Sequence, residues 1–136
     1  MPFCIQYRMS GSADAPKVMN VNLAVQPTGE WGVATFTLSD LVPGVYDICV
    51  KCTHWLARKL TDIDVTAGDS TGNAFALKNA DINGDNAVNF SDYLILQTQY
   101  KKSPGTPNAD LNGDGNVDFS DYLTLQANYK KTGDTL

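Results

Sequence analysis

DINGDNAVNFSD at residues 81–92 and DLNGDGNVDFSD at residues 110–121 are two nearly matching stretches that begin 29 residues apart. Each continues into a run with the composition of a helix, YLILQTQY after the first stretch and YLTLQANY after the second. A repeat is considered before any other pattern, because each copy is one structural unit and neighbouring copies are expected to pack together. This repeat decides the fold of the C-terminal part of the chain.

Both stretches have the ligand pattern of a calcium loop. Ca²⁺ takes six to eight oxygen ligands, which a twelve-residue loop supplies from positions 1, 3, 5, 7, 9 and 12. Position 6 requires a residue that tolerates positive φ, and Asn86 and Gly115 occupy it. We therefore expect two calcium ions. The predicted ligands are Asp81, Asn83, Asp85, the carbonyl of Ala87, Asn89 and Asp92 for the first ion, and Asp110, Asn112, Asp114, the carbonyl of Asn116, Asp118 and Asp121 for the second.

Two features separate these loops from an EF-hand. Position 12 is Asp instead of Glu, and no amphipathic helix precedes either loop. In these features residues 79–132 resemble the type I dockerin family, which has two tandem D-x-N-x-D-x-x-V-x-x-x-D loops, each with only an exiting helix. The resemblance implies a two-helix calcium module over residues 79–136. It also implies that the module attaches a secreted protein to a cohesin-type partner.

The resemblance further implies a partner surface at loop positions 10 and 11 and along each exiting helix. The two sets are nearly identical, which would allow binding in either of two orientations. Cellulosomal dockerins often carry a Lys-Arg pair in the helix, where this sequence has Gln97-Thr98 and Gln126-Ala127. Phe is also an unusual residue at loop position 10. The candidate partner residues are Phe90, Ser91, Gln97, Thr98 and Lys102 in the first copy, and Phe119, Ser120, Gln126, Ala127 and Lys131 in the second.

An alternative is a self-contained calcium-stabilised domain without a partner, in which Phe90 and Phe119 are core residues. The exiting helices are predicted over residues 90–101 and 119–130. Asn89 and Asp118 are the expected N-caps, with an acid three residues later in each case. The apolar positions that the two copies share are expected to form the common core: Phe90, Tyr93, Leu94, Leu96 and Tyr100, with Phe119, Tyr122, Leu123, Leu125 and Tyr129.

Residues 1–78 have the pattern of six or seven short strands, with turn residues every 8 to 12 positions. Predicted strands include residues 31–38, residues 56–65 with a change of phase between Leu60 and Ile63, and a last short strand at residues 73–78. The stretch FTLSDLVPGVYDICVKCTHW at residues 36–55 resembles the carboxypeptidase regulatory-like (transthyretin-like) sandwich family, with an immunoglobulin-like sandwich as its rival. The expected fold is a small antiparallel β-sandwich followed by a two-helix calcium-loop pair.

The three cysteines leave several interpretations open. Alternation along the strands predicts that Cys4 and Cys49 point outward and that Cys52 points inward. A Cys4–Cys49 disulfide is possible if their strands are neighbours, and would suit a secreted protein. The three cysteines with His54 could instead form a zinc site, although Cys49 and Cys52 are predicted on opposite faces of one strand. Unpaired thiols are the third interpretation.

Other function classes find less support in the sequence. Trp31, Trp55, Tyr7 and Tyr46 could form a sugar-stacking platform, so a carbohydrate-binding sandwich is a further alternative. With one His and no nucleophile–base pair, no enzymatic activity is predicted. Lys and Arg form no stripe for nucleic acid, and no apolar run reaches membrane-spanning length. The first residues lack a signal-peptide pattern, so the expectation of secretion rests on the calcium loops and the resemblance.

The formal net charge is −5. Seven of the 15 acidic residues lie in the two loops, and two Ca²⁺ ions would offset four of the five excess negative charges. The acidity therefore indicates metal binding instead of a basic partner.

Overall fold

The computed structural model describes residues 1–24, 26–28 and 31–136, with the backbone alone at 26–28 and 31–33. The described residues form an antiparallel sheet in the order β2-β1-β5-β6-β7, a two-stranded β3-β4 sheet, and two helices. This arrangement confirms the predicted fold class. The elements are β1 (Pro2–Met9), β2 (Lys17–Asn22), β3 (Gln26–Thr28), β4 (Trp31–Val33), β5 (Val45–Cys52), β6 (His54–Asp64), β7 (Asn79–Asp81), α1 (Phe90–Gln99) and α2 (Phe119–Asn128).

Contacts between Cα atoms divide the chain into two units. One consists of Met1–Lys51, Arg58–Ala76 and Thr135–Leu136, and the other of Cys52–Ala57 and Leu77–Asp134. The predicted division into domains 1–78 and 79–136 is a statement about folding units and stays a prediction. In the first unit β1 pairs with β2 from Pro2 opposite Asn22 to Tyr7 opposite Lys17. Period-two alternation along β1 places Ile5 in the interior, where it is fully buried.

Two predicted strands are wrong in their extent. Residues 34–38 continue past β4 without strand structure, and residues 73–78 are irregular, with β7 starting only at Asn79. Phe36 and Phe75, one in each of these segments, pack against each other with ring centroids 6.1 Å apart. Extended backbone points alternate side chains to one side even where no ladder of hydrogen bonds forms. The predicted irregularity in residues 60–63 is present, since Asp62 has φ 58° within β6.

The second unit is built around one apolar cluster. Leu56 at the start of β6, Val88 and Val117 at loop position 8, and Leu96 and Leu125 on the helices are all at most 2% exposed and belong to it. The helices begin as predicted: Asn89 and Asp118 are N-caps and form capping boxes with Asp92 and Asp121. They end at residues 99 and 128, slightly before the predicted ends.

The prediction for the helix core is correct only in part. Leu96 and Leu125 are buried, and Tyr93, Tyr100 and Tyr122 pack partly against the core. Ile95, whose position is Thr124 in the second copy, also packs against the core. Repetition of an apolar residue in both copies does not separate a shared core position from a shared surface position. The predicted core residues that are exposed instead are Phe90, Leu94, Phe119, Leu123 and Tyr129.

The cysteines and aromatic residues also differ from expectation. Cys49 is 5% exposed and Cys52 is 2% exposed, so both are buried and the outward placement of Cys49 is wrong. Strand β5 is buried along both faces from Ile48 to Val50, which explains why alternation fails there. Within the described chain, Cys4, Cys49 and Cys52 form no disulfide. Tyr46 is buried and its hydroxyl donates to the carbonyl of Val42, so it is not part of a sugar-stacking surface. The side chain of Trp31 lies outside the described residues.

Candidate calcium loops and helix surface

Each loop buries the carboxylates at its first and last positions. Asp81, Asp92 and Asp121 are fully buried and Asp110 is 6% exposed. The side chains at positions 3 and 5 are exposed, so each loop has a buried side and an open side. Burying an ionised carboxylate is costly unless a cation or hydrogen bonds compensate for the lost water. Four buried acids in two short loops therefore favour a positive ligand.

The same hydrogen bonds orient the oxygens in both loops. At position 1, Asp81 accepts from the position-6 amide of Asn86 at 3.0 Å, and Asp110 accepts from that of Gly115 at 2.9 Å. The backbone is left-handed at both position-6 residues, with φ 68° and 89°, as predicted. In each loop the position-5 carboxylate accepts from the position-7 amide, at 2.9 Å in both copies. The repeat in sequence is thus a repeat in geometry.

The position-12 acids connect each loop to its helix. Asp92 accepts from the backbone amides of Asn83 at 3.1 Å and Asn89 at 2.8 Å. Asp121 accepts from the amides of Asn112 and Asp118 in the same way. One side chain therefore closes the capping box and faces back into the loop. This is why Asp, which is shorter than Glu, suits position 12 here.

Two loop acids have displaced pKa values. Burial raises the pKa of Asp92, and the neighbouring Asp81 charge raises it further, while backbone N–H groups of Asn89, Asn83 and Ile82 partly oppose the rise. On the open side, the backbone amide of Asn116 and the side chain of Asn112 lower the pKa of Asp114. A bound cation would favour the ionised form of the buried Asp92 carboxylate, which burial disfavours.

The residues present fit a hard cation such as Ca²⁺. Among the residues that the structure describes, no group of three or more His, Cys, Asp or Glu side chains lies together as a metal cluster. The predicted ligand sets, however, draw on Asn side chains and a backbone carbonyl as well as on carboxylates, as calcium loops do. The oxygens of positions 1 and 12 are already oriented by backbone amides. The proposed zinc ligands Cys4, Cys49, Cys52 and His54 are not gathered into such a cluster either.

Each helix exit is bonded to the loop of the other copy. The amide of Lys101, after α1, donates to the carbonyl of Val117 at 2.7 Å, and the amide of Lys130, after α2, donates to the carbonyl of Val88 at 2.8 Å. Lys101 and Lys130 both have positive φ, at 59° and 64°. Position 8 of each loop is therefore fixed by the neighbouring repeat, which makes the two repeats one interlocked module.

Four aromatic side chains run from one helix to the other, and we call them the aromatic row: Phe90, Tyr93, Tyr122 and Phe119. Successive ring centroids are 5.8, 6.3 and 5.9 Å apart. The two phenylalanines at the ends are 58% and 57% exposed, and the exposed Leu94 and Leu123 lie one helical turn after them. The result is an apolar surface repeated on both helices.

The structure brings the predicted partner residues to the surface. Nine of them are exposed and Lys131 is half-buried. The ammonium groups of Lys102 and Lys131 donate to the carbonyls of Thr98 and Ala127 at the helix ends, both at 2.8 Å. The remaining predicted set is Phe90, Ser91, Gln97, Thr98, Phe119, Ser120, Gln126 and Ala127.

Sequence reasoning missed Leu94 and Leu123 as surface residues, although a signal was present. Position 12 of a calcium loop must face the ion, so Asp92 fixes the phase of α1. Residues four apart lie on one helix face, which puts Leu96 with Asp92 inside and Leu94 with Phe90 outside. No equally plain signal identifies the tyrosines of the aromatic row.

The structure combines an antiparallel sheet and two helices with paired acidic loops. Residues 79–129 match the family model described as the dockerin type I domain. Domains of this family generally bind calcium. No curated protein matches the chain.

Two solved structures are similar in fold to nearly the whole chain. Both are mutants of a type II cohesin–X–dockerin complex from Acetivibrio cellulolyticus, altered at the C-terminal or the N-terminal interface. Their TM-scores are 0.64 and 0.62, each at 18% identity, with 96% of this chain and 83% of that chain covered. At this identity the similarity concerns the fold alone. None of the helices in the described part of the chain is long and apolar enough to cross a membrane.

Proposed function

We propose that this chain is a non-catalytic attachment module of a secreted protein, which binds a cohesin-type partner in a calcium-dependent manner. The observation that carries the proposal is the apolar surface formed by the aromatic row with Leu94 and Leu123. Contiguous apolar surface with a polar rim is typical of a protein interface. Its position, on the exiting helices of a dockerin type I domain, matches the surface with which the family reads its partner.

Two calcium ions are proposed, one in each loop. When bound, Ca²⁺ would supply the positive charge that the buried carboxylates require. The first site would use Asp81, Asn83, Asp85, Asn89, Asp92 and the carbonyl of Ala87, and the second the corresponding residues 29 positions later. Because Asp92 and Asp121 also close the capping boxes, ordering of a loop would fix the start of the helix that carries the partner surface.

The exposed phenylalanines are the proposed anchors of the interface. Aromatic side chains bury a large apolar area at low entropic cost and dominate binding energies at many interfaces. The lysines near the helix ends would form its rim. A partner face that is mainly apolar is therefore expected, together with weak dependence of the affinity on salt. The exposure of Phe90 and Phe119 argues against the alternative in which they are core residues of a domain without a partner.

The first 78 residues would accompany the dockerin module as the X portion does in the similar complexes. The support is the 96% coverage of this chain in one alignment. No separate activity is proposed for them.

Surface plasmon resonance on immobilised type I and type II cohesin modules tests the proposal. The full chain should bind at least one of them in millimolar calcium and dissociate in EDTA. The double variant Phe90→Ala/Phe119→Ala should weaken binding by about 100-fold or more, since truncation of one anchor alone costs about 2 kcal/mol or more. Val18→Ala, which truncates a similarly exposed apolar side chain in the first unit, is the matched control and should bind normally.

The single variants discriminate between one and two binding orientations. If the repeats can substitute for each other, Phe90→Ala and Phe119→Ala should each retain most of the affinity that the double variant loses. Binding that is unchanged by EDTA, or by the double variant, would contradict the proposal.

A further inference from the structure

The C-terminal segment 130–134 pairs with the first calcium loop. The amide of Val88 donates to the carbonyl of Lys131, and the amide of Gly133 donates to the carbonyl of Asn86, both at 2.8 Å. Between them, Ala87 and Thr132 form an antiparallel bridge. Positions 6 to 8 of the loop are thus held by this segment, and position 7 is where the backbone carbonyl ligand is proposed.

The side chain of Asn86 extends this pairing to a third segment. Its Oδ1 accepts from the backbone amide of Ala57 at 2.8 Å, and its Nδ2 donates to the carbonyl of Asp134 at 3.2 Å. The amide of Asp134 donates in turn to the carbonyl of Ala57 at 2.9 Å. Loop, strand β6 and C-terminal segment are therefore joined in a closed set of hydrogen bonds, with one carboxamide at its centre.

The second loop has no side chain that could do the same. Its position 6 is Gly115, and a Cβ built there would meet nothing within 4 Å. The main-chain role of the two residues is nevertheless equal, because each donates its amide to the position-1 aspartate. Asn86 differs only in its side chain, and that side chain is directed to Ala57 and Asp134.

We propose that Asn86 is a positioning residue that couples calcium binding in the first loop to attachment of residues 130–134, and that the second loop lacks this coupling. The inference rests on the calcium binding proposed above. Asn86 is not a ligand: it holds Asp81 through its amide and the C-terminal segment through its carboxamide. Coupling of this kind is reciprocal, so calcium should protect the segment and loss of the attachment should weaken calcium binding.

Three variants separate the coupling from the metal chemistry, and none removes a proposed ligand. Asn86→Gly keeps the residue type that the second loop uses at φ > 0 and deletes only the carboxamide. Gly115→Asn adds a carboxamide to the other loop, where a Cβ meets nothing within 4 Å, and is the matched control. The φ of 89° at this position disfavours most side chains, and Asn is among the residues that tolerate positive φ best. Gly133→Ala disturbs the same contact from the C-terminal segment. The added Cβ would lie 2.6 Å from the backbone nitrogen of Ala57 and against the carboxamide of Asn86.

Site-resolved NMR on the full chain provides both readouts. Titration with calcium chloride is followed at the amides of Gly84 and Gly113, which occupy position 4 of the two loops. Hydrogen exchange is measured at Gly133 and Asp134, whose amides bond to Asn86 and Ala57. The Lys101 amide, bonded to the carbonyl of Val117 in the second loop, is the internal reference because it lies outside segment 130–134 and the variants replace neither partner of that bond.

Asn86→Gly and Gly133→Ala should each weaken calcium binding reported by Gly84 by about tenfold, within the common range of coupling between sites. Gly113 should be unaffected. Both variants should lose protection of the amides at positions 133 and 134. Gly115→Asn should leave the calcium titration at Gly84 and the exchange at Gly133 and Asp134 as in the wild type.

Normal calcium binding at Gly84 in both variants, despite lost protection of the segment, would overturn the coupling. An equal loss at Gly84 and Gly113 would also overturn it. If neither glycine responds to calcium in the wild type, the proposed calcium binding is what fails.

Discussion

Asn79 connects the two calcium loops although it is predicted as a ligand of neither. Asn79 is 4% exposed, and its side-chain Nδ2 donates to the carbonyl of Leu111 at 2.7 Å. Leu111 is at position 2 of the second loop. The amide oxygen of Asn79 accepts from Ala80 at 2.7 Å and faces Nδ1 of His54 at 3.3 Å. A histidine nitrogen that faces this acceptor must carry the proton, so the bond selects the Nδ1–H form of His54.

Replacing Asn79 should lower the free energy of unfolding far more than replacing Asn108, which holds the corresponding position before the second loop. Asn79→Ala leaves the carbonyl of Leu111 and the amide of Ala80 without this partner inside the protein. An unsatisfied buried polar group costs about 1–3 kcal/mol, and the free energy of unfolding should fall by about that amount. Asn108, 29 residues later, is exposed and accepts from the nearby amide of Asp110 at 2.8 Å.

Urea unfolding in saturating calcium measures both variants. Asn108→Ala should change the free energy of unfolding by less than about 1 kcal/mol, since its bond is local and exposed. Similar losses in the two variants would mean that Asn79 does not connect the loops.

At the scale of elements, each helix has one apolar face buried in the core and a second apolar face that is exposed. Leu96 of α1 is 1% exposed and belongs to the core of the second unit, whereas Leu94, two residues earlier, is 44% exposed beside Phe90. The separation follows from the capping box, because Asp92 must point into the loop and Leu96 lies one turn further on the same face. The second helix repeats this arrangement with Leu125 and Leu123.

The two leucines of α1 provide a matched pair of truncations. Leu96→Ala should lower the free energy of unfolding by about 2–5 kcal/mol, because it removes a buried side chain from a packed core. Leu94→Ala should change stability by less than about 1 kcal/mol but weaken binding to the proposed cohesin-type partner. Calorimetric melting and surface plasmon resonance measure the two effects. The assignment of the faces is wrong if Leu94→Ala destabilises the protein as much as Leu96→Ala.

The sequence predicted those features that depend on local chemistry. A calcium loop demands fixed oxygen positions, positive φ at position 6 and an N-cap, so loop geometry, caps and helix starts followed from one pattern. Features that depend on which segment lies alongside were missed. Residues 73–78 alternate like a strand but are irregular, with β7 starting only at Asn79, and Cys49 is buried because β5 is covered on both faces. From the sequence, Asn86 is a residue that tolerates positive φ in the loop. The partners of its carboxamide, Ala57 and Asp134, are distant in sequence and become neighbours only in the folded protein.

At the scale of the whole molecule, strand β6 belongs to both compact units. Its first residues, up to Ala57, group with the calcium loops, and residues from Arg58 onward group with the first unit. Within the second unit, the amide of Leu56 donates to the carbonyl of Lys78 at 2.7 Å, and His54 pairs with Asp81. Leu56 also contributes to the apolar core beneath the loops. The start of this strand should therefore unfold together with the calcium loops.

Removal of calcium should divide β6 into two parts with different stability. A ligand that binds only the folded state stabilises it by about 2.7 kcal/mol per site at 100 times its dissociation constant. Adding EDTA should therefore speed hydrogen exchange at Leu56, Val88 and the helix amides, all in the second unit. Exchange at Ile5, in the β1–β2 ladder of the first unit, should change little because no proposed calcium ligand lies there. Uniform acceleration in both units would show that calcium stabilises the chain as one cooperative body, and no change at Leu56 would show that this strand start is independent of the loops.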